Sequence, residues 1–202
     1  MRSLFFFLVS LCCLSVKADT MVKLRRYGEA TAPVQMYLFS SLACPHCADF
    51  HQDILPKIKE KYLDTHRAQL AKVDVIWDKN TLKATTLIRC VSPEKVPLLE
   101  SELYQNQSQW ASERKVEEKL LKYAQKQGLS ADAFQTCLQD ASLQKAVLDQ
   151  QNNLVQTYEI TKLPTLVVRF KNQVVPLEGA DEKQVMQRLE EFFEQLPTSK
   201  QK

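Results

Sequence analysis

The feature that most constrains this chain is the order in which its hydrophobic periods change. Val22 to Arg26 and Val34 to Ser40 read as short strands, separated by the Gly28 to Pro33 turn region. From Pro45 to about Tyr62 the apolar positions Phe50, Ile54, Leu55, Ile58 and Tyr62 recur at helical spacing, with a kink expected at Pro56. Gln69 to Trp77 is a third strand. A long helical block then runs from about Thr81 to Tyr158, broken at Pro93, Pro97 and Gly128-Leu129-Ser130, with Ser130 a helix N-cap. Strand periodicity returns at Thr165 to Phe170 and, after a Lys171-Asn172 turn, at Gln173 to Leu177. Asp181 with Gln184 opens a last helix whose apolar face is Val185, Leu189, Phe192, Phe193 and Leu196. An α/β domain (residues 19–80 and 159–197) interrupted by an all-helical subdomain (81–158) satisfies this order, with 198–202 as a tail.

Composition agrees. A formal net charge of +3 over 202 residues excludes a strongly basic nucleic-acid binder. Only three glycines occur, where average usage would give roughly fourteen. That scarcity favours a helix-rich fold over a barrel of many tight turns.

The first 18 residues are set apart from the fold. Arg2 supplies a positive start, Leu4 to Val16 form an apolar run, and Val16-Lys17-Ala18 offers a cleavage site, the pattern of a secretory signal peptide. The run is shorter than the roughly 20 residues that a spanning helix needs. An uncleaved anchor is the alternative; a lipoprotein fits less well, because bulky Leu11 precedes Cys12. The expected location is the periplasm. Cleavage removes Cys12 and Cys13 and leaves Cys44, Cys47, Cys90 and Cys137, which allow three disulfide connectivities.

Cys44-Pro45-His46-Cys47 sits where the second strand gives way to the first long helix. With Cys44 as N-cap, Pro45 occupies N1, where its missing N–H costs nothing. The Cys44 sulfur then meets the N–H groups of the first turn and the positive end of the helix dipole, and both favour a thiolate. A protonated His46 acts in the same direction. Cysteines so placed have pKa values lowered to roughly 3.5–7.5. Stabilising the thiolate stabilises the reduced protein, so the Cys44–Cys47 disulfide becomes a stronger oxidant. Cys44 is expected at an exposed tip and Cys47, one turn further in, as the resolving thiol. A structural disulfide across so small a loop stabilises little, and a zinc site would have to recruit Cys90, Cys137, His51 or His66 without a second close ligand pair. No metal is therefore expected. His51 and His66 read as solvated helix-face residues, and Trp77 and Trp110 as core.

The CPHC quartet, the strand before it, the helical insertion and the late Lys162-Leu163-Pro164-Thr165 resemble the DsbA family of thiol–disulfide oxidoreductases across nearly all of residues 19–197. The resemblance implies a thioredoxin fold with a helical insertion. It also implies a cis peptide before Pro164, with that proline facing the CxxC sulfurs and the Leu163 backbone pairing with substrate as an added strand. Many members carry a buried Glu six residues before the first motif cysteine, which assists proton movement at the buried thiol. Here that position is Leu38, and no proton acceptor for Cys47 is identified. Leu163 is also bulkier than the usual Val or Thr. Some relatives carry a second disulfide in the helical subdomain, which implies Cys90–Cys137, a bridge expected to stabilise by roughly 3–4 kcal/mol.

The activity expected from the resemblance is dithiol oxidation of reduced exported proteins through Cys44 and Cys47, with no metal or organic cofactor. Reoxidation would come from a membrane quinone-linked partner. An isomerase or reductase using the same thiols is a rival, although residues 19–43 leave little room for a dimerisation region and a monomer is expected. A chaperone-like adaptor that binds unfolded chains near Leu163 without redox turnover is the other.

Overall fold

The computed structural model describes residues 22–196. The proposed signal segment, 1–18, lies outside them, as does the tail. Strand β1 is Arg25–Gly28, β2 Val34–Ser40 and β3 Ala68–Asp74; β4, Thr165–Phe170, and β5, Gln173–Glu178, follow the helical block. They form one sheet in the order β1-β3-β2-β4-β5. Only β2 and β3 are parallel, because a helix, α1 (residues 45–63), carries the chain back between them.

Alternation along β2 divides the core. Val34, Met36 and Leu38 join Phe50, Ile54, Ile58 and Tyr62 of α1, together with Val185, Leu189 and Phe193 of the last helix, α8 (Glu182–Glu194). Tyr37 and Phe39 face the opposite layer with Val73, Val167 and Tyr158. Between β3 and β4 the chain forms α2 (Lys79–Cys90), α3 (Val96–Gln105), the short α4 (Gln107–Trp110), α5 (Val116–Lys126), α6 (Ala131–Leu138) and α7 (Ala141–Thr157). A third cluster built around Trp110, Leu99, Leu103, Leu120 and Phe134 fills this block. Cys44 and Cys47 belong to that cluster rather than to the sheet's own layers, so the motif lies where the two parts meet.

A few elements differ from those implied by hydrophobic periodicity, each with a local cause. The first strand begins at Arg25, not Val22, because Gln150 of α7 takes the Val22 carbonyl. The third strand ends at Asp74, not Trp77: Gln151, also of α7, accepts from the Ile76 N–H at 2.5 Å and donates to its carbonyl at 3.2 Å, drawing that backbone off the sheet. Pro56 does not break its helix. Leu55 N–H reaches back five residues to Phe50 O, a widened turn that admits the ring. The caps lie where expected, with Ser130 accepting from Ala133 N–H and Asp181 from Gln184 N–H.

Candidate active site

The site begins at the C-terminal end of β2. Ser40 is the last strand residue, and Ser41, Leu42 and Ala43 turn the chain into Cys44, whose extended backbone (φ −88°, ψ 120°) and carbonyl start α1. The Cys44 carbonyl accepts from the N–H groups of Cys47 and Ala48, both at 3.1 Å. Pro45 occupies the first turn, where it leaves no hydrogen bond unmade. A side chain from the helical block locks the turn: Gln107 Nε2 of α4 donates to the carbonyls of Leu42 at 2.7 Å and Cys44 at 2.9 Å. Nothing in the sequence pattern marked Gln107, because a polar residue on a short helix looks solvated until the fold brings it across.

The two thiols are unbonded and differ sharply. Hydrogen bonding from Cys47 lowers the Cys44 pKa to about 6; burial opposes this, while the Cys47 and His46 N–H groups and the His46 side chain reinforce it. The sulfur makes no capping hydrogen bond of full geometry, so the helix start acts on it at longer range than the sequence implied. Cys47 moves the other way. Its interaction with Cys44 and its burial raise its pKa, opposed by the Ser41 N–H, 3.4 Å from its sulfur, and by the Ser40 hydroxyl. His46 is exposed, with Nδ1 3.6 Å from Asp49 Oδ2.

Cys44 is not at an exposed tip. It is 6% exposed, because Leu163 and the helical block pack beside it. It opens instead into a groove with Val75, Trp77, Val155, Ile160 and Leu163. Trp77, expected in the core, is 55% exposed on this groove because Gln151 has peeled its strand end from the sheet. Trp110 is fully buried, as expected. The Leu163–Pro164 peptide is cis, and the Pro164 carbonyl accepts from Gly179 N–H at 2.8 Å.

Behind the thiols lies a charge cluster that the sequence did not announce. Lys72 of β3, 2% exposed, pairs with Glu100 of α3 at 2.6 Å. Arg25 reaches Glu100 at 3.2 Å and Asp74 at 2.5 Å, and Arg89 reaches Asp74 at 2.6 Å. Burial alone would keep Glu100 protonated, but Arg25 and Lys72 outweigh it and hold its pKa near 2. His51, expected on a solvated face, lies against this cluster. Its ring lies tilted against Tyr104 with centroids 4.7 Å apart, its Nε2 is 2.9 Å from Ser101 Oγ, and burial with the nearby Lys72 lowers its pKa to about 4. His66 is exposed in the turn after α1. Leu38 is buried in the apolar layer against α1 and α8.

The second pair is joined. Cys90, the last residue of α2, and Cys137 of α6 form a disulfide with Cα atoms 6.1 Å apart.

A helix that starts at a CxxC pair and packs on a mixed sheet, with a cis-proline loop alongside, defines a thioredoxin-fold dithiol protein. The chain belongs to the thioredoxin family, whose profile matches residues 20–191. Its fold is that of DsbA proteins. Alpha-DsbA1 of Wolbachia pipientis is 25% identical and superposes with a TM-score of 0.73, covering 83% of this chain and 88% of that one. BdbD of Bacillus subtilis, 22% identical, shares the fold with a TM-score of 0.71 over 85% and 93% of the two chains. A Rickettsia bellii protein provisionally named a protein-disulfide oxidoreductase is 25% identical over 142 residues, 70% of this chain and 55% of its own length. The chain thus spans about half the length of the curated relatives it matches.

Proposed function

We propose that this chain is an exported thiol–disulfide oxidoreductase that donates the Cys44–Cys47 disulfide to reduced proteins. The observation that carries the reading is the opposite displacement of two thiols in one helical turn, Cys44 lowered to about 6 and Cys47 raised. A substrate thiolate attacks Cys44 Sγ. A substrate–Cys44 bond forms, the Cys44–Cys47 bond breaks, and its electron pair stays on Cys47, which takes up a proton. A second substrate thiolate then attacks the substrate sulfur of the mixed disulfide, and Cys44 leaves as a thiolate. Low-pKa thiols are the better leaving groups, so this second step favours the oxidised product. The substrate is oxidised by two electrons and the dithiol reduced by two; a membrane quinone-linked partner would restore the disulfide.

The groove of Val75, Trp77, Val155, Ile160 and Leu163 beside Cys44 suits the apolar segments of an unfolded chain. In this reading Leu163 and Pro164 line the substrate path, Pro45 and His46 shape the thiol pair, and Cys90–Cys137 is structural. Export rests on the first 18 residues alone. The test is oxidation of a reduced two-cysteine peptide by the pre-oxidised protein. Stoichiometric formation of the peptide disulfide is expected, with Cys44→Ser inactive. Binding of unfolded chains without oxidation, unchanged in Cys44→Ser, would instead identify an adaptor. Preferential reshuffling of scrambled disulfides would identify an isomerase.

A further inference from the structure

The mechanism leaves one requirement unmet: a buried Cys47 sulfur must carry negative charge each time the disulfide opens or re-forms, and Leu38, in the layer against α1, is apolar. The groups that do surround it are polar on one side. The backbone N–H of Ser41 lies 3.4 Å from the sulfur. Ser40, the strand residue next to Ser41 and 4% exposed, favours the charged form of the same sulfur. Its Oγ is also 2.6 Å from the hydroxyl of Tyr104, which is 3% exposed and belongs to the same packed cluster as Cys47. The Tyr104 ring is held in turn. His51 lies tilted against it at 4.7 Å, and Lys72 Nζ, fixed by Glu100, lies 5.4 Å from its centroid.

We propose that the Ser40–Tyr104 hydroxyl pair stabilises the Cys47 thiolate, and so sets the rate of the Cys47 step of the exchange cycle. The inference rests on the exchange reading above. When Cys47 is charged, Ser40 donates to the sulfur and Tyr104 donates to Ser40, two aligned donors whose strength is cooperative in a dry interior. In this proposal Ser40 is the donor to the sulfur, and Tyr104, 2.6 Å from the Ser40 hydroxyl, is a positioning residue that acts through it. The charged and titratable groups around the pair are Cys44 and His46 on the motif turn, His51 on α1, Glu100 on α3, Lys72 and Asp74 on β3, and Arg25 on β1. Arg25 and Lys72 hold Glu100 ionised, and burial keeps His51 neutral at neutral pH.

The experiment uses the full chain with glutathione trapped on Cys44, and follows its release by Cys47 from neutral to alkaline pH. Loss of a hydrogen bond to a charged group corresponds to about a tenfold change or more. Ser40→Ala and Tyr104→Phe should each slow release about tenfold at neutral pH, and move the rise in rate to higher pH. The double variant should be slower by less than the product of the two, since the hydroxyls act as one chain. Alkylation of Cys44 in a Cys47→Ala background should be unchanged by either substitution. Release at the wild-type rate in either variant, even with a lowered melting temperature, would overturn the proposal and leave the pair a packing contact. A wild-type protein that neither forms nor resolves the mixed disulfide would instead sink the exchange reading itself.

Discussion

Cys44 and Cys47 lie in one turn at the start of α1, whereas Cys90 and Cys137 are 47 residues apart and tie α2 to α6. The first pair borders a groove and contains two thiols with pKa values driven in opposite directions. The second closes a long loop inside the helical block. The same side-chain chemistry therefore serves two ends. A bond across a short loop offers little entropic gain, while one across a long loop gives its full constraint on the unfolded chain. On the proposed function, what separates a reactive pair from a structural one is the helix start, the groove and the spacing, not the cysteines.

Substitutions should break this contrast cleanly. The largest effect is expected from Cys44→Ser, with complete loss of peptide oxidation. Cys90→Ser with Cys137→Ser should do the reverse, keeping oxidation while lowering unfolding free energy in denaturant titration by about 3–4 kcal/mol. Glu100→Gln should cost a similar amount, about 3–5 kcal/mol, because Lys72 and Arg25 would be left buried without their carboxylate. Denaturant titration of the reduced protein checks that as well.

The pH dependence sharpens the same contrast. Cys44 has its pKa lowered by folding, to about 6. Its contribution to the stability of the reduced protein is therefore fully present above the unfolded thiol's pKa, roughly 8.5, and is lost as pH falls through about 6. Alkylation of Cys44 should show its midpoint near pH 6, and the oxidised protein should lack this pH dependence. The smallest effect is expected at the groove. Trp77→Ala should raise the KM for an apolar peptide several-fold, with kcat nearly unchanged, as read from initial rates.

Much of this was legible in the residues. Val34–Ser40 and Thr165–Phe170 have the bounds their periodicity implied, because both strands are hydrogen-bonded on two sides and packed by regular alternation. Cys44 at a helix start, with Pro45 next, followed from capping chemistry that is local by nature. The missed features are long-range. Lys72 and Glu100 look like solvated charges when read singly, and only the crossing of β3 with α3 makes them a buried pair. Gln107, Gln150 and Gln151 carry no periodic signature, yet they hold the motif turn and set where β1 and β3 begin and end. Tyr104 and Ser40 are 64 positions apart, and no spacing rule joins them.

The central claim is that the first pair is built to be an oxidant. It is tested most directly by the redox equilibrium of Cys44–Cys47 against glutathione, with Cys90→Ser and Cys137→Ser in place so that one pair reports. A potential of about −120 mV, the strongly oxidising end of this chemistry, is the expected result. A potential of about −270 mV would contradict the account, since a dithiol that reducing would draw electrons out of the pair and into substrate disulfides.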